Sequence, residues 1–263
     1  MACVETAKIE NIEMDYIRFG KGDKNFIIQP GLSIHSVMGL AELIENAYSI
    51  FSEDYTVYVF DRAKDIREGY GVRDMADDTA AVMEALHIKE ANIFGASQGG
   101  MIALELAIHH GHLVDRMVLG STLAKANDSI CQVIDEWIYL AEKKEEKALL
   151  ESFADRVYSE ATLKAYKDVI ISSNQGISEE EYKRFIILAQ ACKNFDCSKE
   201  LPNIQSQVLV IGAEGDRVTT PNGCKEIAES LNCDLYLYDA SYGHGVYDEA
   251  KDYIERCKNF FEK

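Results

Sequence analysis

The sequence predicts an α/β protein with a doubly wound, mostly parallel β-sheet and helices on both faces. Two observations predict this fold class. Short β-branched or apolar runs alternate with segments of helical periodicity, and one of the early runs ends in the turn residues Pro30-Gly31. The composition, with 47% hydrophobic and 27% charged residues over 263 positions, is that of a globular protein able to bury a large core.

The strands are predicted from short runs rich in β-branched and aromatic residues. An alternating segment at 10–19 suits an exposed edge strand. The other predicted strands are 25–29, 55–60, 92–94, 116–119, 207–211 and 234–238. The predicted helices are 37–51, 75–86, 101–110, 221–231 and 247–261. Because parallel strands need crossover connections, this alternation favours a parallel sheet.

The interval 122–200 interrupts the alternation, because it contains amphipathic helical stripes but no convincing strand. Within it, Ser178-x-x-Glu181 has the form of a capping box, which marks the start of a helix. We therefore predict an α/β core formed by residues 1–121 and 201–263, with a helical lid inserted between them at 122–200.

The charge balance argues against a polyanionic partner. Lys and Arg total 27 against 45 Asp and Glu, which gives a formal net charge of −18. The negative electrostatic potential that this charge creates repels phosphate backbones and anionic lipid headgroups. The short basic pair Lys143-Lys144 is followed at once by Glu145-Glu146, so it forms no basic face. The sequence therefore predicts a small-molecule partner rather than a nucleic acid or a membrane; it does not decide between a monomer and a homo-oligomer.

The cysteine pattern and the N-terminal segment favour a reducing compartment. The 7 cysteines are odd in number and lack Cys-x-x-Cys spacing, unlike a disulfide framework. The first twenty residues lack the basic start and apolar stretch of a signal peptide. No window approaches the roughly 18 apolar residues of a membrane helix. We expect a cytoplasmic protein.

The strongest chemical signal is the segment Gly95–Gly99, which fits Gly-x-Ser-x-Gly and lies between a predicted strand and a predicted helix. A serine in this turn adopts a strained backbone conformation, and glycine is needed on both sides because a Cβ would collide with neighbouring backbone. The alternative is a glycine-rich helix start with an incidental serine. Phosphate-binding loops do not fit, because they need glycine at Ser97 or Lys and Ser/Thr at Met101-Ile102.

A nucleophilic serine needs a base and an orienting acid, and two loops supply candidates. His244 follows the last predicted strand and is flanked by Gly243 and Gly245. Asp216 follows the strand at 207–211, with Glu214 as the fallback acid and a helix N-cap as the alternative role of Asp216. If the strands are parallel, both loops lie at the same edge of the sheet as Ser97.

The other histidines have simpler explanations. Four of them follow helices, where the helix dipole favours a cation: His87, His109, His110 and His112. His35 follows the Pro30-Gly31 turn and suits either a pocket or the surface.

With these residues in place, the chain resembles the α/β-hydrolase fold family over essentially its whole length. The resemblance rests on the order Ser…Asp…His, the strand-turn-helix at Ser97 and the inserted helices. It implies that Ser97 is the nucleophile, Asp216 the acid and His244 the base. It also implies an oxyanion hole formed by the backbone N–H groups of Gln98 and Leu32.

Two segments depart from the family pattern. Gln29-Pro30 stands where relatives usually carry His before the glycine that Gly31 matches, and Ala63–Glu68 replaces a glycine-rich turn. We expect the second departure to change pocket shape or packing rather than the triad.

The resemblance implies acyl transfer to water: a serine hydrolase acting on an ester or related acyl bond of a small soluble substrate, with no cofactor and no metal. Other triad chemistry on this fold stays open, namely thioesterase, lactonase, carbon–carbon hydrolase, aminopeptidase or cofactor-free peroxidase activity. A ligand-binding receptor with little turnover and an interaction protein that binds through the lid are the alternatives outside enzymology.

Pocket residues are predicted from their neighbours in the sequence. Met101 and Tyr242 are candidates because each lies close in the chain to a predicted triad residue. The lid aromatics are further candidates, although their helical spacing also fits a lid core: Trp137, Tyr139, Phe153, Tyr158, Tyr166 and Phe185.

Overall fold

The computed structural model describes residues 2–263, which fold around one eight-stranded sheet of order β1-β2-β4-β3-β5-β6-β7-β8. The strands are β1 (Cys3–Ile9), β2 (Ile12–Gly20), β3 (Lys24–Gln29), β4 (Tyr55–Phe60), β5 (Ala91–Ala96), β6 (Val114–Gly120), β7 (Gln207–Ala213) and β8 (Asp234–Tyr238). The β1–β2 and β2–β4 pairs are antiparallel, and every pair from β4 to β8 across the sheet is parallel. The predicted mostly parallel sheet is confirmed.

Ten α-helices accompany the sheet in the described residues. They are α1 (Ala41–Ala47), α2 (Val72–Ala85), α3 (Gln98–His109), α4 (Asp128–Glu142), α5 (Glu146–Val157), α6 (Glu160–Ser173), α7 (Glu179–Lys193), α8 (Thr220–Leu231), α9 (Val246–Glu249) and α10 (Tyr253–Phe261). Alternate strand residues point into two separate apolar clusters. Helices α2, α3 and α8 contribute to one cluster and α10 to the other, so helices cover both faces as predicted. No helix within residues 2–263 has the length and apolarity to cross a bilayer.

The strand order places a ligand site next to β3. The chain passes from β3 to β4 on one side and then returns to β5 on the other side of β3. In doubly wound sheets such a reversal opens a crevice at the carboxyl ends of the strands. Ser97 follows β5 directly and Pro30 follows β3, so both lie at this crevice.

The segment between β6 and β7 contains four helices, α4 to α7, and no strand among the described residues. A single isolated bridge, between Lys125 and Asp196, joins its two ends. The capping box that the sequence predicts is present: the Ser178 hydroxyl accepts a hydrogen bond from the Glu181 backbone N–H, and the Glu181 carboxylate accepts one from the Ser178 N–H.

Three predictions about elements are wrong in detail. The edge strand is β1, with β2 lying inside the sheet; β1 shows little apolar pattern because Ala7 is its one buried residue. The helix predicted at 37–51 is a 3₁₀ turn, the short α1 and a second 3₁₀ turn. Its apolar residues divide: Val37, Leu40 and Ile44 line a cavity, whereas Phe51 is fully buried in the core. The last helix is divided into α9 and α10 because Ala250 adopts an extended backbone conformation between them.

Candidate active site

Ser97 lies at a tight turn between β5 and α3. Its φ of 53° and ψ of −119° are strained for a residue with a side chain, as the motif predicts. A Cβ on Gly95 would lie 2.4 Å from the Gly99 carbonyl oxygen, and one on Gly99 would lie 1.9 Å from the Gln29 carbonyl oxygen. Both contacts are with backbone that cannot give way cheaply, so the turn requires glycine at both positions.

The structure brings Ser97, His244 and Asp216 into one hydrogen-bonded series. The Ser97 Oγ lies 2.9 Å from His244 Nε2, and His244 Nδ1 lies 3.0 Å from Asp216 Oδ2. The three residues follow β5, β8 and β7, whose carboxyl ends share one edge of the sheet. His244 is 3% exposed and Asp216 is 6% exposed, so water competes little for their hydrogen bonds.

Local hydrogen bonds fix the Asp216 carboxylate. Its Oδ1 accepts from the backbone N–H groups of Val218 at 2.7 Å and Thr219 at 3.1 Å, and its Oδ2 accepts from the Thr219 hydroxyl at 2.7 Å. Burial acts to raise the pKa of Asp216, but the neighbouring His244 and these donors outweigh it and lower the pKa below its ordinary value. The carboxylate is therefore held ionised. The fallback acid Glu214 instead pairs with Lys225 at 3.1 Å on the surface.

The remaining histidines make contacts that do not involve Ser97, His244 or Asp216. His109 pairs with Glu105 at 3.1 Å and His110 with Asp77 at 2.7 Å, as suits basic groups at a helix end. His87 and His112 contact no residue of the site in the described structure. His35 links the loop after β3 to the helical segment, because its ring nitrogens bond the Glu181 carboxylate at 2.6 Å and the Asn174 carbonyl oxygen at 2.8 Å.

The two backbone segments expected to bind an oxyanion meet at Ser97. A Cβ on Gly31 would lie 3.3 Å from the Ser97 Cβ and 3.4 Å from the Ala96 carbonyl oxygen, so the Gly31-Leu32 segment packs directly on the turn. Gln98 is the first residue of α3, and an N–H in that position has no acceptor within its helix. The Gly31-Leu32 segment and the first residue of α3 therefore both adjoin Ser97.

Arg62 is the residue of this region that the sequence reasoning missed. Its Nη2 donates to the Pro30 carbonyl oxygen at 2.6 Å and to Gln98 Oε1 at 3.1 Å, so one guanidinium joins the two segments that flank Ser97. Gln98 is fixed further by donating to the Leu188 carbonyl oxygen at 2.7 Å. Its position in the chain could have identified it, because Asp61-Arg62 directly follows β4 and therefore lies at the same carboxyl edge of the sheet as Ser97.

A cavity of about 320 Å³ opens over Ser97 and His244. Its lining is mostly apolar and comes from the loop after β3, from α1 and from the helices between β6 and β7. The contributions of α4 to α6 and the loop between α5 and α6 are Ile130, Ile134, Trp137, Leu150, Phe153, Ala154, Val157, Tyr158 and Ile170. This volume and lining suit a small, largely apolar ligand.

The predicted pocket residues divide into two groups. Trp137 lines the cavity, as do the lid aromatics Phe153 and Tyr158. The predictions for Met101 and Tyr242 are not supported by the lining: Met101 is fully buried in the apolar cluster under α3, and the Tyr242 ring packs 5.1 Å from the Tyr238 ring. Closeness in the chain to a triad residue does not determine which way a side chain points.

The other three lid aromatics do not line the cavity either. Tyr139 and Tyr166 are 56% and 60% exposed. Phe185 is fully buried, 6.4 Å from the Phe153 ring. No group of three or more His, Cys, Asp or Glu side chains in residues 2–263 is arranged to bind a metal ion.

Comparison with known proteins identifies the family. Residues 26–162, just over half of the chain, match the family model described as the alpha/beta hydrolase fold. The chain is 28% identical over 200 residues to the AB hydrolase superfamily protein YisY of Bacillus subtilis, covering 71% of this chain and 72% of YisY. It is 22% identical over 248 residues to 3-oxoadipate enol-lactonase 2 of Acinetobacter baylyi, covering 90% and 89% of the two chains.

Solved structures agree in fold. The α/β hydrolase enzyme MGS-M2, from a Medee basin deep-sea metagenome library, superposes with a TM-score of 0.88 at 23% identity over 98% of both chains. The enol-lactonase from Burkholderia xenovorans superposes with a TM-score of 0.85 at 18% identity over 98% of this chain and all of that one. The protein therefore belongs to the α/β-hydrolase fold family.

Proposed function

We propose that this protein is a serine hydrolase that cleaves a carboxylic ester or closely related acyl bond of a small molecule. The single observation that carries the proposal is the series of hydrogen bonds from Ser97 Oγ through His244 to Asp216, at the base of an apolar cavity. A serine, a base and a buried orienting acid in this geometry form the arrangement that activates a hydroxyl for acyl transfer.

The proposed reaction begins with proton transfer. His244 Nε2 takes the Ser97 proton while the Ser97 oxygen attacks the substrate carbonyl carbon, and the alcohol leaves with that proton. Asp216 accepts the His244 Nδ1–H, which keeps Nε2 free to act as the base and stabilises the imidazolium that forms. Water activated by His244 then releases the acid from the acyl-enzyme.

The backbone N–H groups of Gln98 and Leu32 are proposed to stabilise the oxyanion. Their segments meet at Ser97 and are joined by Arg62, which bonds Pro30 on one side and Gln98 on the other. Loss of one such donor costs about 2.7–4 kcal/mol of transition-state stabilisation, so their placement has a large effect on rate.

Residues 122–200 are proposed to act as the lid of this site. All four helices between β6 and β7 contribute residues to the lining of the cavity that contains Ser97. Leu40, also in the lining, is 48% exposed and marks where the cavity reaches the surface. The α6 helix has no fully buried residue, which makes it the least firmly packed of the segment.

Lactone hydrolysis is the second candidate. A lactone is an internal ester, and the same residues would open it. The observation that favours it is the alignment with 3-oxoadipate enol-lactonase 2 of Acinetobacter baylyi over 90% of this chain. A panel of short-chain p-nitrophenyl esters, thioesters and lactones separates these activities by their kcat/KM values.

Steady-state turnover tests the proposal. The wild-type protein should hydrolyse short-chain p-nitrophenyl esters through many cycles, and Ser97→Ala should abolish this turnover with its Tm nearly unchanged. Turnover retained in Ser97→Ala would remove Ser97 as the nucleophile. A single stoichiometric release of p-nitrophenol that then stops would favour a receptor that reacts once over an enzyme.

A further inference from the structure

The cavity contains one carboxyl group that the proposed reaction does not use. Asp248 lies on α9, four residues beyond His244, and lines the cavity with Ser97 and His244. Its side chain is accessible, and because it lines the cavity, that accessible surface faces the space where a substrate would bind.

Asp248 has no side-chain partner in the described structure, in contrast to its neighbour. Glu249 accepts hydrogen bonds from the Ser159 backbone N–H at 2.9 Å and the Ser159 hydroxyl at 2.8 Å, and so joins α9 to the start of α6. Neither oxygen of Asp248 accepts a hydrogen bond from a described residue, and no cation pairs with it. A ligand that displaces solvent from this accessible carboxylate must offer it a partner, because a desolvated and unpaired charge is costly.

The surroundings of Asp248 contain no basic side chain other than the His244 imidazole. None of the described residues that line the cavity is Lys or Arg. The groups close enough to interact electrostatically with Asp248 are His244, Glu249, Tyr48, Tyr158 and Tyr247. Enclosure by protein, and secondarily the Glu249 carboxylate, raise the pKa of Asp248 to about 7, while His244 opposes this rise.

The cavity therefore combines an unpaired carboxyl group with aromatic rings. Tyr48, Tyr158 and Tyr247 line the same space, and none of their hydroxyls bonds a described residue. Aromatic faces attract cations, and a lone carboxylate in an otherwise apolar pocket is how some serine proteases select basic side chains. An anionic substrate group would be repelled by Asp248 and would find no basic side chain to bind.

We infer that Asp248 forms a cation-binding subsite and that the preferred substrate is an ester with an ammonium group separated from the scissile carbonyl. This inference rests on the proposed function, since it names the substrate class of the same site. Ionised Asp248 pairs with the ammonium group, and the tyrosine rings cover its apolar substituents. Preference for the cation therefore grows as pH rises through the titration of Asp248.

Isosteric substrates test this directly. For the acyl side, p-nitrophenyl 5-(trimethylammonio)pentanoate is compared with p-nitrophenyl 6,6-dimethylheptanoate, which replaces the charged nitrogen by carbon. For the alcohol side, acetylcholine is compared with 3,3-dimethylbutyl acetate. We expect kcat/KM at pH 8.5 to favour the cationic member of at least one pair by about tenfold or more. The ratio should fall as pH is lowered to 6, and the use of a ratio cancels any effect of pH that is common to both substrates.

Two variants assign the preference to Asp248. Asp248→Asn keeps the size of the side chain and should lower the cationic-to-neutral ratio of kcat/KM by about tenfold. Glu255→Gln, an equal change of charge at an exposed position of α10, is the matched control and should leave the ratio unchanged. A ratio near one in the wild type for both pairs, or an unchanged ratio in Asp248→Asn, would overturn the inference.

A binding measurement separates failure of the subsite from failure of the proposed function. Isothermal titration of Ser97→Ala protein with 5-(trimethylammonio)pentanamide and 6,6-dimethylheptanamide requires no turnover. Tighter binding of the cationic amide, lost in Ser97→Ala/Asp248→Asn, would support the subsite even if no ester is hydrolysed. Equal binding of both amides, together with wild-type turnover, would reject the subsite and leave the hydrolase proposal standing.

Discussion

Substitution of Arg62 by Met removes the guanidinium that joins the two segments of the proposed oxyanion hole, while keeping an unbranched side chain of similar length. The change deletes the hydrogen bonds of 2.6 Å to the Pro30 carbonyl oxygen and 3.1 Å to Gln98 Oε1. Gln98 keeps its bond to the Leu188 carbonyl oxygen, so we expect the turn at Ser97 to persist. The Pro30–Leu32 segment, by contrast, loses its fixed distance from Ser97.

The expected magnitude follows from the contacts. The buried Gln98 and the half-buried Pro30 each lose the donor to an oxygen, at about 1–3 kcal/mol for a buried acceptor, but removal of the buried Arg62 cation offsets part of this cost. We expect a net loss of stability of about 1–3 kcal/mol, and each kcal/mol lowers Tm by about 2–4 °C in a protein of this size. Complete loss of one oxyanion donor would cost about 2.7–4 kcal/mol, and partial displacement should reduce kcat by about ten- to hundredfold.

The assay is steady-state hydrolysis of a p-nitrophenyl ester, with Tm measured on the same samples. A positioning role predicts that kcat falls while KM stays within about threefold, because the affected interaction forms in the transition state. Arg62→Lys keeps the charge but cannot reproduce both bonds with the same geometry, so its kcat should be intermediate. An unchanged kcat in folded Arg62→Met would refute the reasoning, as would a loss carried entirely by KM.

Three further predictions concern the same site and its links to the helical segment. Asp216→Asn should lower kcat by about 10³- to 10⁴-fold, whereas Glu214→Gln should leave it unchanged; the opposite result in the ester assay would mean that the acid is Glu214. Gly99→Ala should abolish activity and lower Tm, because the added Cβ would lie 1.9 Å from a backbone oxygen; a normal Tm with full kcat would contradict the need for glycine. Although burial acts to lower the pKa of His35, its bonds to Asn174 and Glu181 raise it overall. The stability that His35 contributes is therefore complete below about pH 6.5 and is lost as pH rises through its folded pKa, so His35→Gln should flatten this fall in Tm between pH 6 and 8.

The sequence contains enough information to locate Ser97, His244 and Asp216 at one sheet edge. The requirement for glycine at Gly95 and Gly99 is steric, and it belongs to a strand-turn-helix motif that can be recognised from five residues, although the atom that a Cβ on Gly99 would meet belongs to Gln29. The other two residues follow because parallel strands place their carboxyl ends together, and the alternation of strands and helices is enough to predict parallel strands. Ester hydrolysis by the Ser97 and Asp216 variants tests the catalytic roles proposed for these residues.

Features that depend on side-chain direction or on distant contacts could not be predicted. The apolar residues at 37–51 divide between a cavity, which Leu40 and Ile44 line, and the core, which contains Phe51; periodicity alone cannot distinguish these surroundings. Met101 lies one helical turn after Ser97 and still points into the core. Arg62 and Asp248 gain their significance from partners, or the lack of them, that only the folded chain reveals.

The central claim is that Ser97 is an activated nucleophile, and labelling with a fluorophosphonate tests it most directly. We expect one adduct by intact mass, assigned to Ser97 by peptide mapping, and no adduct in Ser97→Ala. The rate of labelling should fall sharply in His244→Ala, because the base is missing. Absence of labelling in folded wild-type protein, or an adduct on a different residue, would contradict the account.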